Sequence, residues 1–193
     1  MAAARSTCED GAAMHQLLLL RHAESDLGDL TQADHARALN PQGHRQTGAI
    51  RQAMRDLGLV PDIVLVSSAV RALETLAGLE PWADAPLIEA LDLLYLAPAP
   101  RLLSVLQNVA ETARSVLVIA HNPGLHELAI AVAGEQAILG EDEPSRALAE
   151  GYPTATLAEF AVSGPWQQLQ PGRARLLRLL RPRDVMPADP PAA

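Results

Sequence analysis

Three short apolar runs, none with a charge at its centre, set the organisation of the chain: HQLLLL at 15–20, DIVLVSS at 62–68 and SVLVIA at 115–120. Each has strand length, and an apolar run that does not alternate suits a parallel strand covered on both faces. Helical patterns separate them: PQGHRQTGAIRQAMRDLG at 41–58, AVRALETLAG at 69–78 and APRLLSVLQNVAETA at 99–113. This alternation predicts an α/β fold, a three-layer α-β-α sandwich with a mainly parallel central sheet. Two later stretches, TATLAEFAV at 154–162 and ARLLRLLR at 174–181, read as added strands near an edge. The second also fits a short helix; the Pro171–Gly172 turn before it suits a hairpin-like return. GEDEPSRALAEGYP at 140–153 reads as a solvated connection, at most with a helical turn. The expected unit is one domain over 14–181. Residues 1–13 carry no period and 182–193 have disruptive proline spacing, so both read as flexible tails, with Met14 an alternative start.

Composition narrows the function. Aromatics are 3% of the 193 residues, so the core must come from Leu, Val, Ile and Ala. Lys and Arg number 15 against 23 Asp and Glu, a net charge of −8. That excludes a broad surface for nucleic acid or anionic membrane, yet leaves room for a few convergent arginines. The single cysteine, Cys8, excludes an internal disulfide and any multi-cysteine metal site. No apolar run approaches the roughly 20 residues of a membrane span. The LLLL run is too short for a signal peptide, so the expected location is cytoplasmic.

In an open α/β sheet, ligands bind beyond the carboxyl ends of the strands. The three runs deliver Arg21-His22, Arg71 and His121 at those ends. Two arginines and two histidines on three strand exits describe a phosphate site: guanidinium forks match non-bridging oxygens, and a near-neutral imidazole serves as nucleophile or donor. For in-line attack through one ring nitrogen the other must hold the proton, so a backbone carbonyl or carboxylate should accept from it. A metal reading of His22 and His121 lacks a third ligand.

These stretches carry a resemblance. LLLLRHAES at 17–25 resembles the opening motif of the histidine phosphatase superfamily, the phosphoglycerate-mutase-like fold. VSSAVRALET at 66–75 is similar to its second motif, and VIAHNPGLHEL at 118–128 to its late histidine motif. Ala23 stands where many members have Gly. With DHARALNPQGHRQ at 34–46, LLY at 93–95 and the HNPG, it makes the chain most similar to the short phosphohistidine phosphatase branch. That branch removes phosphate from histidine-containing phosphotransfer domains. The match spans about 14–180.

The resemblance implies that His22 is the nucleophile, carrying the phosphoryl group transiently, with Arg21, Arg71 and His121 around its equatorial oxygens. It implies neither metal nor cofactor. Arg37 lies where the family places a second pocket arginine, in Arg-Ala-Leu rather than Arg-Pro-Leu; it either closes over phosphate or faces solvent. Ser25 either contacts phosphate or caps a turn. Larger relatives use a carboxylate as general acid. Glu89 is the candidate here, with Asp92 three residues on, sharing its face if the stretch is helical.

Thr75, one turn after Arg71, is expected to pack locally. His15 starts the first strand at the far end; His35 and His44 rim the pocket or lie on the surface; His126 is expected on a helical surface. Trp82 and Trp166 read as packing anchors. The expected partner is a phosphorylated protein met at a shallow, lidless mouth by a monomer. The alternative is a small phosphate ester in a deeper pocket with Glu89 as acid. A mutase would need a second basic cluster. A non-catalytic phospho-ligand binding module would need a lost nucleophile or clamp residue.

Overall fold

The structure, a computed structural model, describes residues 14–26, 32–135 and 139–186. Six strands, β1 (Met14–Arg21), β2 (Ile63–Ser67), β3 (Leu87–Leu91), β4 (Ser115–Ala120), β5 (Leu157–Ser163) and β6 (Ala174–Leu180), form one sheet. Their order is β3-β2-β4-β1-β5-β6. The pairings β3–β2, β2–β4 and β4–β1 are parallel, while β1–β5 and β5–β6 are antiparallel. The α-helices lying wholly within the described residues are α1 (Pro41–Asp56), α2 (Val70–Leu79), α3 (Ala99–Leu106), α4 (Gly124–Ala133), α5 (Glu143–Glu150) and α6 (Pro182–Val185).

Consecutive residues of a strand point to opposite faces, so the uninterrupted LLLL run feeds two cores at once. Leu17 and Leu19 join one core with Leu102 and Leu106 of α3, Leu125 and Leu128 of α4, and Leu148 of α5. Leu18 and Leu20 join the other with Ile50 and Met54 of α1, and Ala72, Leu76 and Leu79 of α2. These are the three layers expected. A run apolar on both faces cannot fix its own register, so its polar flanks do. Gln16 Nε2 donates to Glu159 Oε1 at 2.9 Å and Gln16 Oε1 accepts from Ser115 Oγ at 2.6 Å. At the other end Arg21 leaves the sheet opposite Ala120.

Four expectations change. LIEAL is not helical; it is the edge strand β3, too short between Pro86 and the 3-10 turn at Asp92–Leu94 to close a stable helix. Helix α3 ends at Leu106 rather than 113, where Asn108 Nδ2 donates to the Ser104 carbonyl at 2.7 Å and takes an acceptor that the helix would otherwise use. The acidic connection contains α5, whose N-cap Asp142 accepts from Ser145 N at 2.9 Å. The fold also continues past 181: α6 packs on α1, and Arg181 pairs with Glu143, Glu150 and Asp184, tying β6 to α5. A tail can start only after it. The expected leader at 1–13, with Cys8, and the last residues, 187–193, lie outside the described residues. ARLLRLLR is the strand β6.

Candidate phosphate-binding site

Because β2, β4 and β1 run parallel side by side, their carboxyl ends open at one level. Leu20 lies opposite Ile119, itself opposite Val66. The chain therefore turns out of the sheet at His22, Ser68 and His121 together. Helix α1 is drawn tight under the first exit: Asn40 Oδ1 caps it by accepting from Gly43 N at 2.7 Å, and a Cβ on Gly43 would sit 2.0 Å from the Glu24 carbonyl oxygen. Only glycine permits that approach.

His22 is 6% exposed. Its Nδ1 lies 2.8 Å from the Ala23 carbonyl, which can only accept, so Nδ1 carries the proton and Nε2 keeps its lone pair. Arg71 Nε donates to that Nε2 at 3.3 Å. Burial, and behind it the charges of Arg71, Arg21 and Arg37, lower the His22 pKa to about 4, so the ring is neutral at neutral pH. The expected carbonyl acceptor is thus present. Thr75 holds the same loop: Ala23 N donates to its Oγ1 at 2.9 Å, and its hydroxyl donates to the Arg71 carbonyl at 2.7 Å. It lines no part of the pocket and ties the loop of His22 to Arg71.

Arg71, 2% exposed, is gripped from outside by Asp34. Its Nη1 donates to the Asp34 carbonyl at 2.6 Å and its Nη2 to Asp34 Oδ2 at 3.0 Å. Tyr95 Oη donates to the same Oδ2 at 2.6 Å, and Arg37 Nε lies 3.2 Å from Oδ1. The Tyr95 hydroxyl, joined by Arg71, holds the Asp34 carboxyl below its usual range. Arg21 Nη1 and Asn122 Nδ2 both donate to the Tyr152 carbonyl, at 2.9 and 2.8 Å, which fixes them on the opposite side. The His121 ring lies 4.9 Å from that of His22, and burial first, then the neighbouring His22 and Arg71, lower its pKa to about 3.

The resulting pocket, about 350 Å³, is lined by Arg21, His22, Ser25, Arg37, Arg71 and His121, together with Glu24, Asp34, Leu96, Asn122 and Thr154. Arg37 therefore belongs to the pocket rim, and Ser25 lines it from a bridge to Leu39. Among the described residues no three His, Cys, Asp or Glu side chains converge as metal ligands. Nor is any helix among them long and apolar enough to cross a membrane.

Glu89 is not in this pocket. Midway along β3, it lines a separate groove of about 520 Å³ with Arg101 and Ser104 of α3. Asp92 is exposed on the following turn and lines neither space. Glu89→Gln should therefore keep kcat and KM within about twofold of the parent in steady-state assays, and a hundredfold loss would restore it as the acid.

His35 bonds Ser68 Oγ at 2.9 Å beside Tyr95, whereas His44 is exposed on α1. His15 lies at the far end, bonded to the Gly164 carbonyl at 3.0 Å. His126 departs from expectation: half-buried, it bonds the Leu148 carbonyl at 2.9 Å. Trp166 is a buried anchor donating to the Ala113 carbonyl at 2.8 Å, and Trp82 packs half-buried on the second core. Sequence reasoning assigned no role to Asp34, Tyr95, Ser67 or Asn122. Their signal was adjacency: Asp34 stands three residues before Arg37, Ser67 ends its strand, and Asn122 follows His121.

Comparison with known proteins agrees with this geometry. The family model of the histidine phosphatase superfamily (branch 1) matches residues 17–94. An uncharacterised Mycobacterium tuberculosis protein, Rv1276c, is 34% identical over 165 residues, covering 85% of this chain and all of that one. A candidate phosphohistidine phosphatase SixA from Nakamurella multipartitia superposes with TM-score 0.75 at 27% identity, over 90% of this chain and 99% of that one. Its counterpart from Agrobacterium tumefaciens gives 0.71 at 28%, over 86% and 97%. With Arg21-His22, Arg71 and His121 gathered at three adjacent strand exits, the chain belongs to the histidine phosphatase superfamily and is a phosphatase.

Proposed function

We propose that the protein is a phosphohistidine phosphatase acting on a phosphorylated protein, with His22 as nucleophile. The His22 Nε2 lone pair attacks phosphorus in line, and the bond from phosphorus to the substrate imidazole breaks. That imidazole leaves as a neutral ring when its distal nitrogen carries a proton. Arg71, Arg21 and the rim residue Arg37 hold the three equatorial oxygens, with His121 beside them. Arg71 Nε, already directed at Nε2, passes to a phosphoryl oxygen. The Ala23 carbonyl keeps Nδ1 protonated, so phosphorylated His22 is imidazolium-like and is itself a good leaving group. Water then attacks phosphorus, the bond to Nε2 breaks, and dihydrogen phosphate leaves with neutral His22.

One observation carries the choice of substrate: among the described residues, neither carboxylate lining the pocket, Asp34 or Glu24, is placed as a proton donor. Asp34 accepts from Tyr95 and Arg71 and is held ionised; Glu24 accepts from Asn40 Nδ2 at 2.9 Å and Gln46 Nε2 at 3.4 Å. An alkoxide leaving group needs such a donor, which contributes about 10²–10⁴-fold, whereas a protonated phosphohistidine does not. The likeness to SixA structures supports the same reading.

The test is a comparison of kcat/KM on a phosphorylated histidine phosphotransfer domain, glycerol phosphate and p-nitrophenyl phosphate. Phosphohistidine should exceed the alkyl ester by about 10²–10⁴-fold, with the aryl ester, a better leaving group, between them. Equal rates on phosphohistidine and alkyl ester would favour a small-molecule phosphomonoesterase and overturn the proposal.

A further inference from the structure

His121 faces His22 across the pocket as a neutral ring, so it owns one N–H, and its tautomer decides whether it offers the phosphoryl group a donor or a lone pair. Its Nε2 lies 2.8 Å from Ser67 Oγ; its Nδ1 is buried with no partner among the described residues. Ser67 is fully buried at the end of β2, and its Oγ already accepts the Ala69 N–H at 3.3 Å. Its hydroxyl proton therefore needs an acceptor, and among the described residues Nε2 is the partner within reach. If Nε2 carried the proton instead, two donors would meet at Oγ and the serine hydroxyl would be left unmatched away from water.

We propose that Ser67 is a positioning residue that fixes His121 in its Nδ1–H tautomer, so that Nδ1–H is the donor to a phosphoryl oxygen on His22. The serine touches neither substrate nor nucleophile and acts through the imidazole. A bare Nδ1 would present a lone pair to an anionic oxygen; the serine removes that alternative before substrate arrives. The cost of the wrong tautomer falls in the transition state, where charge on the oxygens is greatest, so kcat is affected more than KM.

The inference rests on His22 as phosphoryl acceptor, but the tautomer is read without substrate, so the two fail separately. Long-range ¹H–¹⁵N correlation spectra of histidine-labelled protein at neutral pH, assigned with His121→Gln, should show His121 protonated at Nδ1 and bare at Nε2. In Ser67→Ala the Nε2–H form should appear. With p-nitrophenyl phosphate as probe, kcat should fall roughly 10–100-fold with KM within about threefold. An Nε2–H ring in the parent overturns the proposal. So does Ser67→Ala with unchanged kcat, or with reduced kcat and an unaltered His121 tautomer.

Discussion

His22→Ala leaves turnover at or below about 10⁻⁴ of the parent rate, while the thermal unfolding profile stays cooperative. The loss is large because the proposed mechanism makes Nε2 the atom that bonds phosphorus, and no other described group lining the pocket is equivalent. The neighbouring imidazole, His121, has Nε2 occupied by Ser67 and, among the described residues, no carbonyl holding Nδ1 as Ala23 holds that of His22. The ring of His22 supports little of the fold: its hydrogen bonds run to Ala23 and Arg71. Stopped assays on a phosphohistidine substrate and a calorimetric scan check both halves. Turnover within tenfold of the parent would assign the nucleophile elsewhere.

Arg71→Lys lowers kcat/KM by about 10²–10³-fold without unfolding the protein. Lysine keeps the charge but presents one point donor, whereas Arg71 makes three directed contacts: Nη1 and Nη2 to Asp34, and Nε to His22. The outer two aim the guanidinium; the inner one reaches Nε2 of His22, the nitrogen that the proposal makes the nucleophile. A lysine ammonium can satisfy the Asp34 carboxylate or the phosphoryl oxygens, not both. Steady-state kinetics, with circular dichroism as a folding control, should show this loss. A variant within threefold of the parent would mean that positive charge suffices and directed donors do not matter.

Apolar runs of strand length made much of the fold legible. LLLL, IVLV and VLVI need cover on both faces, which leaves a parallel sheet between helical layers, and the polar residues after each run fall at one edge. Hence the sequence alone brings Arg21, His22, Arg71 and His121 to one edge of the sheet. The edge strand β3 was not legible, because LIEALDLL carries a helical spacing of carboxylates and its strand state depends on pairing with β2. Glu89 was misplaced with it. Asp34 and Tyr95 meet at 2.6 Å across 61 positions of sequence, a contact made by the turn at Asp92–Leu94 and the loop before α1, neither with a periodic signature. Helix α6 was hidden by prolines that suggested a tail, although Pro182 at its first turn suits a helix start.

The net charge of −8 does not describe the pocket. Three arginines line the pocket, and Asp34 on its rim both orients Arg71 and lies beside Arg37. A protein of net negative charge can thus present a small, fixed basic cluster to an anion without any general attraction for phosphate.

The most direct test of phosphoryl transfer through His22 is rapid quenching of the enzyme with radiolabelled phosphohistidine substrate, followed by peptide mapping under alkaline conditions. A transient, acid-labile and alkali-stable label on His22 is the predicted result. Label on another residue, or full product formation with no labelled protein during a resolved burst, would contradict it.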